Sequence, residues 1–229
     1  MQIGLIGGIG PAAQDYYTRR LIALFADART PLDMTTVHAD APTLLGNLAA
    51  DNRAGQAAIF AGLAERLQRA GAGCVAVTSI AGHFCREAFT PLSPLPVIDM
   101  IGAVAADVTA KGFTRIGILG TRTVMASRLY GGIASAEVIA PPLPELDAVH
   151  LAYAAMATAG TITPAQKTVF EAAAQRLIDE VGCQAILLGG TDLALAFDAE
   201  TSAFPLVDCA AIHAEAIARH ALAAHNGGD

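Results

Sequence analysis

Short apolar runs of strand length alternate with amphipathic helical patterns along the whole 229-residue chain. That alternation predicts an α/β fold with parallel strands. Gln2 to Ile6 reads as a strand, and Gly7-Gly-Ile-Gly-Pro11 as the turn after it. Pro11 suits the first turn of a helix, where its missing N–H needs no partner. Tyr16, Tyr17, Leu21, Leu24 and Phe25 give that helix its apolar residues. Thr35 to His38 is a second strand. Ala57 to Leu67 is helical, with Ile59, Phe60, Leu63 and Leu67 on one face and Gly71 beyond its end. Val75 to Val77 is a third strand, and Leu95 to Ile98 a fourth after Pro94.

The pattern then restarts. Arg115 to Leu119 is a strand, followed by Gly120-Thr-Arg122. Thr163-Pro164 opens the clearest helix, with a Thr N-cap, Pro at the first position, an apolar stripe (Phe170, Ala173, Leu177, Ile178, Val181) and Gly182 past the end. Ile186 to Leu188 is another strand, and Pro205-Leu-Val-Asp208 leads into a last helix through Ile212 and Ile217. Ile3-Gly-Leu-Ile-Gly echoes Ile116-Gly-Ile-Leu-Gly, and the segment from Val75 to His83 echoes that from Ile186 to Leu193. The order of the paired units predicts two similar doubly wound lobes with parallel sheets. Ligands of such sheets bind beyond the carboxyl ends of the strands, so the active-site cleft is expected between the lobes.

Composition narrows the function classes. The chain is 54% hydrophobic and 15% charged, which supplies ample core. Its net charge of −7 argues against nucleic acid and against an anionic membrane surface as partners. Glycine and proline interrupt the long apolar segments, so no membrane span is expected. Met1-Gln-Ile-Gly-Leu-Ile-Gly-Gly has no cationic start and too short an apolar stretch for a signal peptide. The four cysteines (74, 85, 183, 209) lack metal-type spacing, which fits reduced thiols in a cytoplasmic protein and no bound metal. Gly7, Gly8 and Gly10 do not keep the G-x-G-x-x-G spacing of a dinucleotide site.

Candidate chemistry gathers at two turns, Thr78-Ser-Ile-Ala-Gly-His83 and Gly189-Gly-Thr-Asp-Leu193. Their backbone N–H groups, at Ser79 to Gly82 and at Gly190 to Asp192, are suited to a carboxylate. Ser79 reads either as a nucleophile whose proton passes to His83, four residues on, or as an N-cap beside a structural histidine. Asp192 reads as a general base or as a carboxylate favouring a helix start. Arg122 is a candidate clamp for a ligand carboxylate or one half of a surface ion pair. His38 and Asp40 either line a site or belong to a surface loop.

These segments resemble the cofactor-independent aspartate/glutamate racemase family, in its aspartate racemase-like branch. Gly7-Gly-Ile-Gly-Pro11 is similar to its G-G-M-G-P, Leu119-Gly-Thr-Arg-Thr-Val-Met125 to L-G-T-R-x-T-M, and Val149-His150 with Tyr153 to V-H-x-x-Y. Phe204-Pro-Leu-Val-Asp208 and Ile212-His-Ala214 resemble the P-V-F-D-T and I-H-A ending. The family's two active-site turns read C-N-T-x-H and G-C-T-E, and each cysteine is an acid/base thiol. Here Ser79 and Gly190 stand at those places.

The resemblance implies lobes of 1–98 with 205–229 and of 99–204. It also implies a homodimer, no cofactor and a small carboxylate or amino-acid-like ligand. It places Ser79, His83 and Asp192 as catalytic candidates, and Gly8, Gly82, Arg122, Gly190 and Thr191 against the ligand. Cys209 falls where the branch carries Thr, either at the site's edge or in the core. A hydroxyl is a far weaker acid than a thiol of pKa about 8.5, and glycine offers no base. The two-thiol mechanism is therefore not expected. The gap left at Gly190 would admit a bulkier ligand. A Ser79-dependent hydrolase or lyase and a non-catalytic ligand-binding homologue stand as alternatives to an isomerase.

Overall fold

The computed structural model describes residues 1–8, 10–199 and 201–226; Ile9, in the turn expected after the first strand, lies outside them. The chain divides into two compact units, Met1–Met100 with His213–Asp229, and Ile101–Ile212.

Unit 1 begins with β1 (Ile3–Gly7), α1 (Pro11–Asp27) and β2 (Met34–His38). Then follow α2 (Ala41–Ala49), α3 (Arg53–Arg69), β3 (Cys74–Val77), a 3₁₀ helix (Ile80–Cys85) and the single turn α4 (Arg86–Phe89). The strands lie in the order β2-β1-β3, all parallel. The fourth strand expected from Leu95 to Ile98 is reduced to one parallel bridge, Val75 to Val97. Pro94 and Pro96 each lack an amide proton for a ladder there. β1 and β3 are buried along their whole length, as strands covered on both faces are. Phe60 and Phe89 pack edge to face beside them, 5.5 Å between centroids.

Unit 2 holds α5 (Met100–Ala110) from Ile101 on, β4 (Arg115–Gly120), α6 (Arg122–Ala126), β5 (Glu137–Ile139) and α7 (Glu145–Ala159). It continues with α8 (Pro164–Asp179), β6 (Ala185–Gly189), a 3₁₀ helix (Thr191–Leu195) and β7 (Leu206–Asp208). α9 (Cys209–Asn226) starts in unit 2 and belongs to unit 1 from His213. The order is β5-β4-β6-β7, again all parallel. β5-β4-β6 thus repeats β2-β1-β3, and β7 stands where unit 1 has its lone bridge. α8 carries the expected cap, completed as a box in which Thr163 and Gln166 satisfy each other's backbone. Its apolar stripe buries Phe170, Ala173 and Leu177. Phe170 and Leu177 each contribute about 1.5–3 kcal/mol by that burial.

Candidate functional site

Strand β3 runs out at Val77, and Ser79 adopts extended backbone, φ −139° and ψ 130°, before the 3₁₀ helix. Strand β6 runs out at Gly189, and Gly190 adopts φ −165° and ψ 130° before its own. The Ser79 carbonyl accepts from Gly82 N–H at 3.1 Å, and the Gly190 carbonyl accepts from Leu193 N–H at 3.1 Å. The two turns are therefore built alike, and Ser79 and Gly190 occupy matching places. The helix starts expected here are 3₁₀ turns, with shorter-range bonds than an α-helix.

At the first turn, Ser79 is 8% exposed and its side chain makes no capping bond. His83 is not its proton acceptor. Nδ1 of His83 donates to the Ser79 carbonyl at 2.8 Å, and Nε2 accepts from Met100 N–H at 3.4 Å. Both ring nitrogens are thus committed to backbone, which fixes the neutral Nδ1–H tautomer. Burial pushes the imidazole pKa down, against the pull of Asp99. Behind it lies His213, whose ring meets His83 edge on at 5.9 Å. Nδ1 of His213 accepts from Tyr17 Oη and Nε2 donates to the Ile98 carbonyl, both at 2.8 Å. Burial, then the neighbouring His83, pushes His213 down to about 3.

Gly82, expected against the ligand, is closely packed where it stands. Its N–H is used inside the turn, and a Cβ there would meet Val77 Cγ1 at 2.7 Å and Phe60 at 3.1 Å. Gly8 has φ +94°, and a Cβ would collide with the His38 ring and sit 2.7 Å from the Ala39 carbonyl. Only glycine suits both conditions. Asp40 is the N-cap of α2, accepting from the Thr43 N–H at 2.9 Å, and its hydrogen bonds with Thr43 lower its pKa.

At the second turn, the room expected beside Gly190 is filled. A Cβ there would overlap Tyr153 Cε2 and lie 2.5 Å from its Oη and 2.6 Å from its Cζ. The Tyr153 hydroxyl donates to Asp192 Oδ2 at 2.8 Å, buried. A neutral donor on a carboxylate is worth about 1.5–3 kcal/mol. Burial first, then the Asp192 charge, pushes the phenol well above its ordinary range, so it stays protonated. Thr191 and Asp192, 7% and 8% exposed, lie on the first residues of the 3₁₀ helix.

Arg122 opens α6 and its guanidinium is paired with Asp147. Its charge is answered within the protein, as in the surface-pair alternative. Cys209 is fully buried at the start of α9, and burial, then Asp208, pushes its thiol far up. That environment withdraws it as an acid/base group. Cys85 is pushed up to about 11 by burial, and Cys74 and Cys183 are raised for the same reason. All four cysteines are buried and free.

A recess of about 390 Å³ in unit 1 is lined by Gln14, Asp15, Thr18 and His38. A larger one in unit 2, about 470 Å³, lies between α8 and residues 196–204 and includes none of the residues singled out above. Among the described residues, no cluster of three or more His, Cys, Asp or Glu is placed to hold a metal ion, and no helix is long and apolar enough to cross a membrane.

The model of the Asp/Glu/Hydantoin racemase family matches residues 6–217. The chain belongs to this family. A candidate Asp/Glu racemase from Yersinia pestis is similar over 96% of this chain and 99% of its own, at 25% identity and a TM-score of 0.85. An aspartate racemase homologue from Pyrococcus horikoshii OT3 covers the same shares at 22% identity and a TM-score of 0.82. The glutamate racemase of Francisella tularensis subsp. tularensis SCHU S4, solved in complex with D-glutamate, shares the fold over 99% of this chain and 82% of its own, at 16% identity and a TM-score of 0.67.

Within the family frame, Tyr153, His213 and Tyr17 are the residues that sequence reasoning left without a role at the turns. Tyr153 and His213 stood inside V-H-x-x-Y and I-H-A segments. Nothing local in those segments shows that the one reaches Asp192, 39 positions away, or that the other reaches Tyr17, 196 positions away.

Proposed function

We propose that this racemase-family protein is an isomerase-type enzyme that exchanges the α-proton of a small carboxylate or amino-acid-like ligand without a pair of thiols. Asp192 is the proton acceptor. The observation that carries this is the buried carboxylate on the first residues of the second turn, fixed by the Tyr153 hydroxyl at 2.8 Å. It is supported by the burial of every cysteine, since no thiolate is at hand. The D-glutamate bound by the Francisella protein suggests the ligand class.

Asp192 takes the α-proton, the ligand carboxylate spreads the charge left on carbon, and the same acid returns a proton or deuteron. With one acid/base wall, exchange outruns inversion. The reading keeps a cytoplasmic, pyridoxal-phosphate-free homodimer. A Ser79-dependent hydrolase loses support because His83 is not available as its base.

The test is proton NMR in D₂O with a panel of small α-amino and α-hydroxy acids. At least one acid is expected to lose its α-proton signal, and Asp192→Asn to slow that loss about 100-fold or more. No exchange across the panel, or the same rate in the variant, contradicts the proposal. Tight binding without exchange would instead assign a non-catalytic ligand-binding protein.

A further inference from the structure

We infer that Tyr153 is the wall of the second turn: its ring takes the volume that a side chain at 190 would need, and its hydroxyl holds Asp192 in place. The inference rests on the reading of this turn as functional and deepens it. Two observations carry it independently. The first is steric. The backbone at Gly190, φ −165° and ψ 130°, is extended and open to any residue. Ser79 adopts nearly the same conformation with a side chain attached. Conformation therefore does not require glycine at 190. The Tyr153 ring does, because it stands within 2.6 Å of a Cβ at Cζ and closer still at Cε2.

The second observation is polar. The Tyr153 hydroxyl is not idle filler, since it donates to Asp192 Oδ2 at 2.8 Å in buried surroundings. That bond, together with 94% burial of Tyr153 on α7, leaves the ring unable to swing aside at small cost. Tyr153 and Gly190 are thus a matched pair. A ligand at this turn meets a phenol edge and not a void, which removes the extra room expected from the glycine. Placing thiols at both turns by Ser79→Cys and Gly190→Cys consequently requires a third change, a smaller residue at 153.

The experiment is a cycle of melting temperatures on the full chain, which needs no substrate. Gly190→Ala alone is expected to lower the melting temperature by about 5 °C, the usual effect of overpacking in a domain this size. In a Tyr153→Leu background the same change should shift it by less than about 1 °C. In a Tyr153→Phe background, which keeps the ring, it should again cost about 5 °C. Tyr153→Met replaces the leucine variant should that one not fold. A neutral Gly190→Ala in the parent chain, or an equal loss in the leucine and parent backgrounds, overturns the inference. Failure of α-proton exchange, measured separately, would sink the proposed reaction and leave this result standing.

Discussion

Ser79 and Gly190 close turns whose backbone angles and hydrogen bonds nearly coincide, yet the two are braced by different chemistry. The Ser79 turn rests on a buried line of rings, Tyr17, His213 and His83, tied to backbone at Ile98 and Met100. The Gly190 turn rests on one phenol and one carboxylate. Two turns with nearly the same main chain thus stand in different surroundings. The serine keeps a hydroxyl that no capping bond uses. The glycine yields its space to a residue from another helix.

The largest expected difference between the two braces is in pH dependence. In the native state His213 titrates at about 3, whereas the unfolded chain takes up that proton near 6.5. Between those values the unfolded state binds more protons. The stability from this group is therefore present above 6.5 and lost as pH falls toward 3, by an amount on the order of several kcal/mol. Tyr153 has the opposite sense. Its native pKa is raised, while the unfolded phenol ionises near its ordinary value of about 10. Its stabilisation is present below 10 and lost as pH rises above it. Urea unfolding across pH should show His213→Gln flattening the acid limb and Tyr153→Phe flattening the alkaline one. Limbs unchanged in both variants would break the contrast.

A smaller effect sharpens the comparison at the first turns of the units. Gly8 has φ +94° and lies against the Ala39 carbonyl, so Gly8→Ala is expected to cost about 1–3 kcal/mol. That corresponds to a melting temperature lower by about 3–8 °C. A loss under about 1 °C by calorimetry would mean that the turn after β1 relaxes freely.

The α/β class and the repeated units were legible because they rest on local signals. The run from Ile3 to Gly7, the Thr163 cap and the stripe of α8 each lie within a few residues. Short elements were not legible. β5 has three residues, and Glu137, Val138 and Ile139 offer no period to read. The expected helices after Thr78 and Gly189 became 3₁₀ turns, a distinction that hydrophobic spacing over five or six residues does not make. At the site, the absence of thiols at 79 and 190 was plain from the residue types. The occupant of the space at 190 was not, because Tyr153 reaches it only through the packing of α7 on the second 3₁₀ turn. The Ser79–His83 spacing was open to a proton relay or to a serine cap beside a structural histidine. The structure turns that imidazole to backbone on both sides, a choice set by Met100, 17 residues away.

The most direct measurement is the paired melting of Ser79→Cys and Gly190→Cys. Matching backbone with unequal space predicts that Ser79→Cys stays within about 2 °C of the parent, while Gly190→Cys falls by about 5 °C or more. Equal shifts for the two variants would contradict the account, since the turns would then be alike in their surroundings as well as in their main chain.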